Sequence, residues 1–130
     1  MKKAFHWFSL VSLAFVLLST VVRAEDSDYG TAGGVVLVPE GISASEVQRC
    51  IVEAAAGRGW EIRAKDDEKV VIFLQAHRWV STLTLLYTPK QIQIFSKSTR
   101  GGKPKMPESW IENLRDDIGV KFRTLAATKK

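Results

Sequence analysis

Few side chains in this sequence could carry out nucleophilic or acid–base chemistry. Downstream of residue 24 the chain has one histidine, His77, and one cysteine, Cys50. A histidine base needs an orienting partner and a pocket, and His77 falls between two strand-like runs, so a solvated turn residue is the favoured interpretation. Cys50 falls on the apolar stripe of a predicted helix, where a core residue is expected rather than a reactive thiol. The sequence therefore predicts no catalytic nucleophile.

Ligands for a metal ion or a phosphate group are equally sparse. The acidic segment Asp66–Glu68 could bind a hard cation weakly, but it lacks the spaced ligands and central glycine of a calcium loop. The segment Gly101–Lys103 lacks the spacing of a phosphate-binding loop. Paired carboxylates for glycoside chemistry are defined by a distance, so the sequence neither nominates nor excludes them. We expect no metal, no cofactor and no catalytic residue, with a small carboxylate-based carbohydrate-active enzyme as an alternative.

The first 24 residues have the pattern of an export signal. Lys2 and Lys3 precede an apolar run over Ala4–Val22, which ends at the site Val22-Arg23-Ala24. This pattern predicts a secretory signal peptide over 1–24 that is cleaved after Ala24, with an uncleaved membrane anchor as the alternative. We therefore expect a periplasmic or secreted protein with no stable membrane anchor after cleavage.

Cleavage of the leader would change the net charge, and the cysteine count limits how the remaining chain can be stabilised. Removing Lys2, Lys3 and Arg23 lowers the formal net charge from +5 to +2, so the basic character belongs partly to the leader. The remaining chain is long enough for one domain with its own core. Because Cys50 is the only cysteine, no intrachain disulfide can form, and stability must come from packing.

Two segments have the pattern of amphipathic helices, and both should present one apolar stripe. The first covers Ile42–Ala56, where Ser43 and Glu46 have the spacing of a capping box. The second begins after Pro107, which is tolerated in a first helical turn. The stripes are Val47, Cys50, Ile51, Ala54 and Ala55 in the first helix, and Ile111, Leu114, Ile118, Phe122 and Leu125 in the second.

Strand-like runs fill the space between the helices, and breaks of hairpin length make neighbouring runs antiparallel. The run Trp79–Tyr87 allows two registers, and we favour the one that turns Trp79, Leu83, Leu85 and Tyr87 inward, because threonine suits the solvated face. A short run at Val35–Val38, closed by Pro39, is a further candidate for an edge strand. The four main runs are Trp60–Ala64, Lys69–Ala76, Trp79–Tyr87 and Gln91–Lys97.

The element order (β)-α-β-β-β-β-α predicts an α+β fold, a two-layer sandwich with both helices on one face of an antiparallel sheet. The sheet has four strands, or five if the edge strand forms. The predicted domain covers 42–126, after a flexible leader over 25–41 that contains the edge strand. A loop over Ser98–Met106 and a disordered basic tail over 127–130 complete the predicted organisation.

Three motifs together resemble a group of small exported bacterial proteins and lipoproteins without an assigned function. They are Gly57-Arg58-Gly59-Trp60 after the capped helix, Gln91-Ile92-Gln93-Ile94-Phe95-Ser96 in the last strand, and Trp110-Ile111-Glu112-Asn113-Leu114 in the last helix. The resemblance covers roughly Ser43–Phe122. Members often carry a lipidated cysteine after the signal, and this chain has none there. The resemblance implies location and fold and brings no catalytic residue.

Two surfaces remain as candidate binding sites. The outer sheet face is more apolar than a solvated antiparallel face usually is, which indicates either an interface or a cover by the N-terminal segment. It comprises Val71, Phe73, Val80, Thr82, Thr84, Leu86 and Phe95. The basic loop is either an ordinary solvated loop or a contact for an anionic partner, and it comprises Lys97, Arg100, Lys103 and Lys105.

These observations predict a non-enzymatic binding or accessory domain of the bacterial cell envelope. We expect it to bind a protein or an envelope component through the outer face, with the basic loop assisting, and a homodimer is one form of this partner. Nucleic acid is not expected, because no aromatic residue interleaves with the cations of the loop. A self-associating structural protein is the other alternative, and a concentration-dependent mass would identify it.

Overall fold

The computed structural model describes residues 28–129 of the chain. The predicted signal peptide, residues 25–27 of the predicted leader and Lys130 lie outside this part. Within the described residues, one antiparallel sheet of six strands packs against two helices. The predicted α+β fold is therefore confirmed.

The strands are β1 (Thr31–Leu37), β2 (Glu61–Lys65), β3 (Lys69–Ala76), β4 (Trp79–Tyr87), β5 (Gln91–Arg100) and β6 (Lys103–Pro104), and the helices are α1 (Ala44–Gly57) and α2 (Glu108–Thr128). The sheet order is β1-β5-β4-β3-β2, so β2 to β5 form an antiparallel meander and β1 is added beside β5. The short β6 also pairs with β5.

Helix α1 forms where local sequence signals predict it. The Ser43 hydroxyl accepts a hydrogen bond from the Glu46 backbone N–H at 3.2 Å, and the Glu46 carboxylate accepts one from the Ser43 N–H at 2.9 Å. This capping box satisfies two backbone donors that the first helical turn leaves without partners. All five predicted stripe residues of α1 are buried.

One core joins both helices to the inner face of the sheet. The stripe of α2 and that of α1 meet the side chains of the central strands, and each fully buried Leu or Ile stabilises the fold by roughly 1.5–3 kcal/mol. The predicted register of β4 is confirmed, because Leu83 and Leu85 are fully buried and Tyr87 is nearly so. The Tyr87 hydroxyl donates a hydrogen bond to the carbonyl of Asp66.

Strands β1 and β6 follow one another along the same edge of β5. Strand β1 lies opposite Gln91–Ser96, and β6 lies opposite Thr99 and Arg100. Gly30 makes the approach of β1 possible, because it has φ +110° and a Cβ there would overlap the carbonyl oxygen of Ser96. The edge of the sheet is therefore built from two separate pieces of chain.

Three predicted boundaries differ from the structure. Strand β1 begins at Thr31, inside the predicted flexible leader. Its backbone pairs with β5, and this pairing holds a glycine-containing segment of low strand propensity in an extended conformation. The predicted loop over Ser98–Met106 instead continues β5 to Arg100 and returns as β6. Helix α2 continues to Thr128, past the predicted end at residue 126, and Lys129 binds the carbonyl of Gly41 and the carboxylate of Glu46.

Candidate functional site

The seven predicted outer-face residues do lie together on the face of the sheet opposite the helices. Val71 pairs with Thr84, and Thr84 pairs with Phe95, so these three form a row across the sheet. Two of the seven are too deeply buried to contact a partner, because Thr84 and Phe95 are only 5% and 3% exposed. Val80 is 39% exposed, and Val71, Phe73, Thr82 and Leu86 are half-buried.

Two side chains, from Tyr29 and Arg63, pack over aromatic rings of this face. The ring of Tyr29 lies 6.1 Å from the ring of Phe95, between centroids. The guanidinium of Arg63 lies 3.8 Å from the ring centroid of Phe73, close enough for a cation–π contact. Cover of Phe95 by an N-terminal residue matches one of the two alternatives that the sequence left open.

The open part of the outer face lies at its β1 edge, which the sequence analysis did not include. Val35 and Leu37 pair with Gln93 and Gln91 and are 43% and 75% exposed. The signal was present in the alternation of β1, where Val35 and Leu37 share one side. It was missed because the strand itself was predicted only as an optional edge.

The predicted basic loop is a hairpin that lies beside a second turn. Trp79 pairs with Arg100, so the β3–β4 turn and the β5–β6 turn stand side by side at one end of the sheet. The backbone N–H of Gly101 donates a hydrogen bond to the carbonyl of Arg78 at 2.9 Å. We call the resulting cluster the basic end. Its members are Arg78, Lys97, Arg100, Lys103 and Lys105.

All five side chains of the basic end are exposed, and none forms an ion pair within residues 28–129. Six other described cations do form ion pairs: Arg49, Arg58, Arg63, Lys69, Lys121 and Lys129. The chain has no aspartate or glutamate between Lys69 and Pro107. This gap was the sequence signal that would have added Arg78 to the predicted basic residues. Among the described residues, no ion pair therefore neutralises the positive charge of the basic end.

The turn that presents Arg78 has a strained backbone. His77 and Arg78 have φ values of 53° and 70°, in the left-handed region that two-residue hairpin turns require. Asn-Gly or Gly-Gly is the usual choice there, and the β5–β6 turn uses Gly101 and Gly102. A left-handed residue with a side chain costs roughly 1–2 kcal/mol. Strain of this kind is concentrated at functional sites.

An aromatic row leads from the core to the basic end. The ring of Trp110 lies 5.8 Å from that of Trp60 and 5.6 Å from that of Trp79, between centroids. The Arg100 guanidinium lies 6.0 Å from the Trp79 ring. Trp60 is buried, whereas Trp79 and Trp110 are half-buried. The sequence analysis considered only aromatic residues adjacent in the loop, and strand register brings Trp79 beside the cations.

A groove of ≈ 200 Å³ runs beside this row and is lined by Arg58, Trp60, Leu74, Trp110 and Asn113. The Arg58 guanidinium is fixed by two hydrogen bonds to the Asp117 carboxylate, at 2.6 and 3.2 Å. Arg58 thereby lowers the pKa of Asp117, and the carboxylate raises the pKa of Arg58. The groove thus offers indole surface together with an oriented guanidinium and an amide.

A pair of carboxylates does share a groove elsewhere. A groove of ≈ 520 Å³ between β1 and the start of α2 is lined in part by Glu108, Glu112 and Arg115. All three side chains are exposed to solvent. The general acid of a glycosidase usually lies in an enclosed apolar pocket, whereas these carboxylates lie exposed in an open groove.

The candidate nucleophiles and bases of the described residues lie in different surroundings. Cys50 is 3% exposed, and burial raises the pKa of its thiol. The hydroxyls of Ser81, Ser96 and Ser98 bond to one another, with O–O distances of 2.7 and 2.6 Å. His77 lies in the exposed turn between β3 and β4. Over residues 28–129, no three His, Cys, Asp or Glu side chains cluster as a metal site would require.

Comparison with known proteins gives no relative from which to transfer a function. No protein-family model matches the sequence, and no curated protein is significantly similar to it. Neither helix of the described chain is long and apolar enough to cross a membrane. The candidate function therefore rests on the geometry of the basic end, the aromatic row and the outer face.

Proposed function

We propose that the protein is a non-enzymatic binding domain of the bacterial cell envelope that holds a polyanionic envelope component at the basic end. The observation that carries this proposal is the cluster of five exposed cations without ion-pair partners among the described residues. Export is proposed from the signal-peptide pattern of residues 1–24.

The ligand must carry several negative charges to be bound well by such a surface. One exposed ion pair contributes only about 0–1 kcal/mol, because water and salt screen it. Several cations acting together on one polymer or headgroup layer contribute roughly 1 kcal/mol each. The five cations belong to two adjacent hairpins, so a single extended anion can contact several of them.

A non-enzymatic role is proposed because the candidate nucleophiles are buried in the core or hydrogen-bonded to one another. The Cys50 thiol is in the core, and the hydroxyls of buried Ser81 and Ser96 both hydrogen-bond to that of half-buried Ser98. The carboxylates Glu108 and Glu112 keep a carbohydrate-active enzyme as the alternative. Release of reducing sugar from envelope polysaccharide, lost in a Glu108→Gln/Glu112→Gln variant, would favour that alternative.

The experiment measures binding of the purified protein to polyphosphate and to vesicles that contain anionic lipid. An Arg100→Gln/Lys103→Gln/Lys105→Gln variant should bind roughly 100-fold more weakly, because it loses three contributing cations. The matched control is Lys65→Gln/Lys90→Gln/Arg123→Gln, which changes the net charge equally at exposed positions outside the basic end. Equal loss in both variants, or no binding by the unmodified protein, would contradict the proposal.

A second candidate function is self-association through the outer face, with another copy of the chain as the partner. It is favoured by Val35, Leu37 and Val80, which are the most exposed apolar residues on a face that carries no described helix. A two-fold interface brings the same patch of both copies together, so these apolar side chains can pack against their counterparts. Sedimentation should give a concentration-dependent mass that Leu37→Lys reduces to that of a monomer, whereas a constant monomer mass would exclude this function.

A further inference from the structure

We infer that the anionic ligand of the basic end is a glycan, with sugar rings placed on Trp79 and Trp110 and acidic groups placed on Arg78 and Arg100. This inference rests on the proposed function and names the chemical class of its ligand. It adds the aromatic row to the five cations, and the row is an observation independent of their charge.

The two indoles are held in fixed positions. Trp79 begins β4, and Trp110 lies in the first turn of α2. The Trp110 ring packs edge-on against Trp60 at 82° between planes, and Trp60 is only 5% exposed. A ring anchored in the core loses little further entropy when a ligand binds, so these indoles form a preorganised apolar platform.

The chemistry of a sugar matches what surrounds this platform. A pyranose presents C–H groups on its faces, which pack on an aromatic ring, and hydroxyls at its edge, which need hydrogen-bonding partners. The ≈ 200 Å³ groove beside Trp110 supplies the side chains of Arg58 and Asn113. It is smaller than the roughly 300–1,000 Å³ of most sites for drug-sized ligands, which suits one ring of a longer chain.

The cations require the glycan to be acidic. Arg100 approaches the Trp79 ring, and the Arg78 side chain lies at Gly101 in the adjacent turn. A guanidinium recognises carboxylate and phosphate with paired hydrogen bonds. A neutral sugar would leave these charges unused, and a polyanion without rings would leave the indoles unused.

The test compares probes on the unmodified protein, so that it does not depend on whether a variant folds. Polygalacturonate carries carboxylates on sugar rings, polyglutamate carries carboxylates on a peptide chain, and dextran is a neutral glycan. At equal carboxylate concentration, we expect polygalacturonate to bind about tenfold more tightly than polyglutamate. Dextran should bind more weakly than both acidic polymers.

A Trp79→Leu variant identifies the platform. It should lose about tenfold in affinity for polygalacturonate and keep its affinity for polyglutamate, with an unchanged urea midpoint as the control for folding. Arg100→Gln should weaken the binding of both polymers. This difference separates the role of the ring from that of the charge.

The outcomes distinguish this inference from the proposed function. Equal binding of the two acidic polymers, unaffected by Trp79→Leu, would overturn the glycan and leave the polyanion site in place. Absence of binding to every polyanion would overturn both. Tighter binding of a single-stranded oligonucleotide than of polygalacturonate would also overturn the glycan, because base stacking would then explain the indoles.

Discussion

Arg78 contributes one cation to the basic end but has an unfavourable backbone conformation. Its φ of 70° suits glycine, so Arg78→Gly should raise the free energy of unfolding by roughly 0.5–1 kcal/mol, since relief of left-handed strain exceeds the extra entropy of the unfolded chain. The same change removes one cation of the basic end and should weaken polyphosphate binding. Urea denaturation and a binding titration on one protein sample measure both effects.

His77 provides the matched control at the neighbouring position. Its φ of 53° is also left-handed, so His77→Gly should give a similar gain in stability. Polyphosphate binding should stay unchanged, because this substitution leaves all five cations of the basic end in place. If His77→Gly weakened binding as strongly as Arg78→Gly, the turn conformation rather than the Arg78 charge would be responsible.

Gly30 combines a left-handed φ with a close contact, and Gly41 has a left-handed φ alone. Gly41→Ala meets no atom within 4 Å and should lower the free energy of unfolding by about 1 kcal/mol. Gly30→Ala should lower it by at least ~2 kcal/mol, because its Cβ would also displace the Ser96 carbonyl. Urea midpoints compare the two, and equal losses would mean that β1 tolerates the displacement.

The start of α1 and the end of α2 are joined through one carboxylate. Hydrogen bonds from Lys129 and from the Ser43 N–H lower the pKa of Glu46 to about 2, from an ordinary value of 4.5. Because the pKa is lower in the folded protein, the unfolded chain takes up the proton first as the pH falls. The stabilisation is complete above about pH 5 and should be lost between about pH 5 and pH 2.

The control for this pH dependence is Glu46→Gln, which keeps a side chain of the same shape without the titrating group. Urea unfolding at pH 7 and pH 3 should show a smaller difference in this variant than in the unmodified protein. Lys129→Met should also reduce the difference, because the Lys129 hydrogen bond is the largest cause of the lowered pKa. An unchanged pH dependence in both variants would show that other carboxylates determine it.

The elements that the sequence predicted best are those whose signals are local. The capping box and stripe of α1 lie within one helix, so its bounds were predicted to within two residues at each end. Strands β1 and β6 depend on β5, a partner distant from β1 in the chain, and their glycines indicated flexible structure. Local propensity could not supply that pairing, because tertiary contacts decide it.

Only part of the candidate site was predicted, because the rest also depends on tertiary pairing. Lys97, Arg100, Lys103 and Lys105 are close in sequence and were found together. Arg78 and Trp79 join them only through the pairing of Trp79 with Arg100, which depends on strand register. The outer-face residues were placed on the correct face, but the cover of Phe95 by Tyr29 depends on where the N-terminal chain runs.

At the scale of the whole molecule, the acidic turn and the basic end lie at opposite ends of the sheet. The acidic turn over 66–68 precedes β3, and the basic end lies beyond the opposite end of that strand. Raising the salt from about 0.15 M to about 1 M shortens the Debye length from ~8 Å to ~3 Å. Polyphosphate binding should then fall sharply, whereas any mass increase due to apolar self-association should persist or grow. Binding titrations and sedimentation at both salt concentrations measure this contrast.

The pairing of β1 with β5 also determines when the sheet can form during synthesis of the chain. Thr31 lies opposite Ser96, so the first strand to leave the ribosome finds its partner only after nearly the whole sheet has been synthesised. Contacts between residues so distant in the chain close late and slow folding. A nascent chain that ends before Gln91 therefore contains an N-terminal strand whose pairing partner has not yet been synthesised.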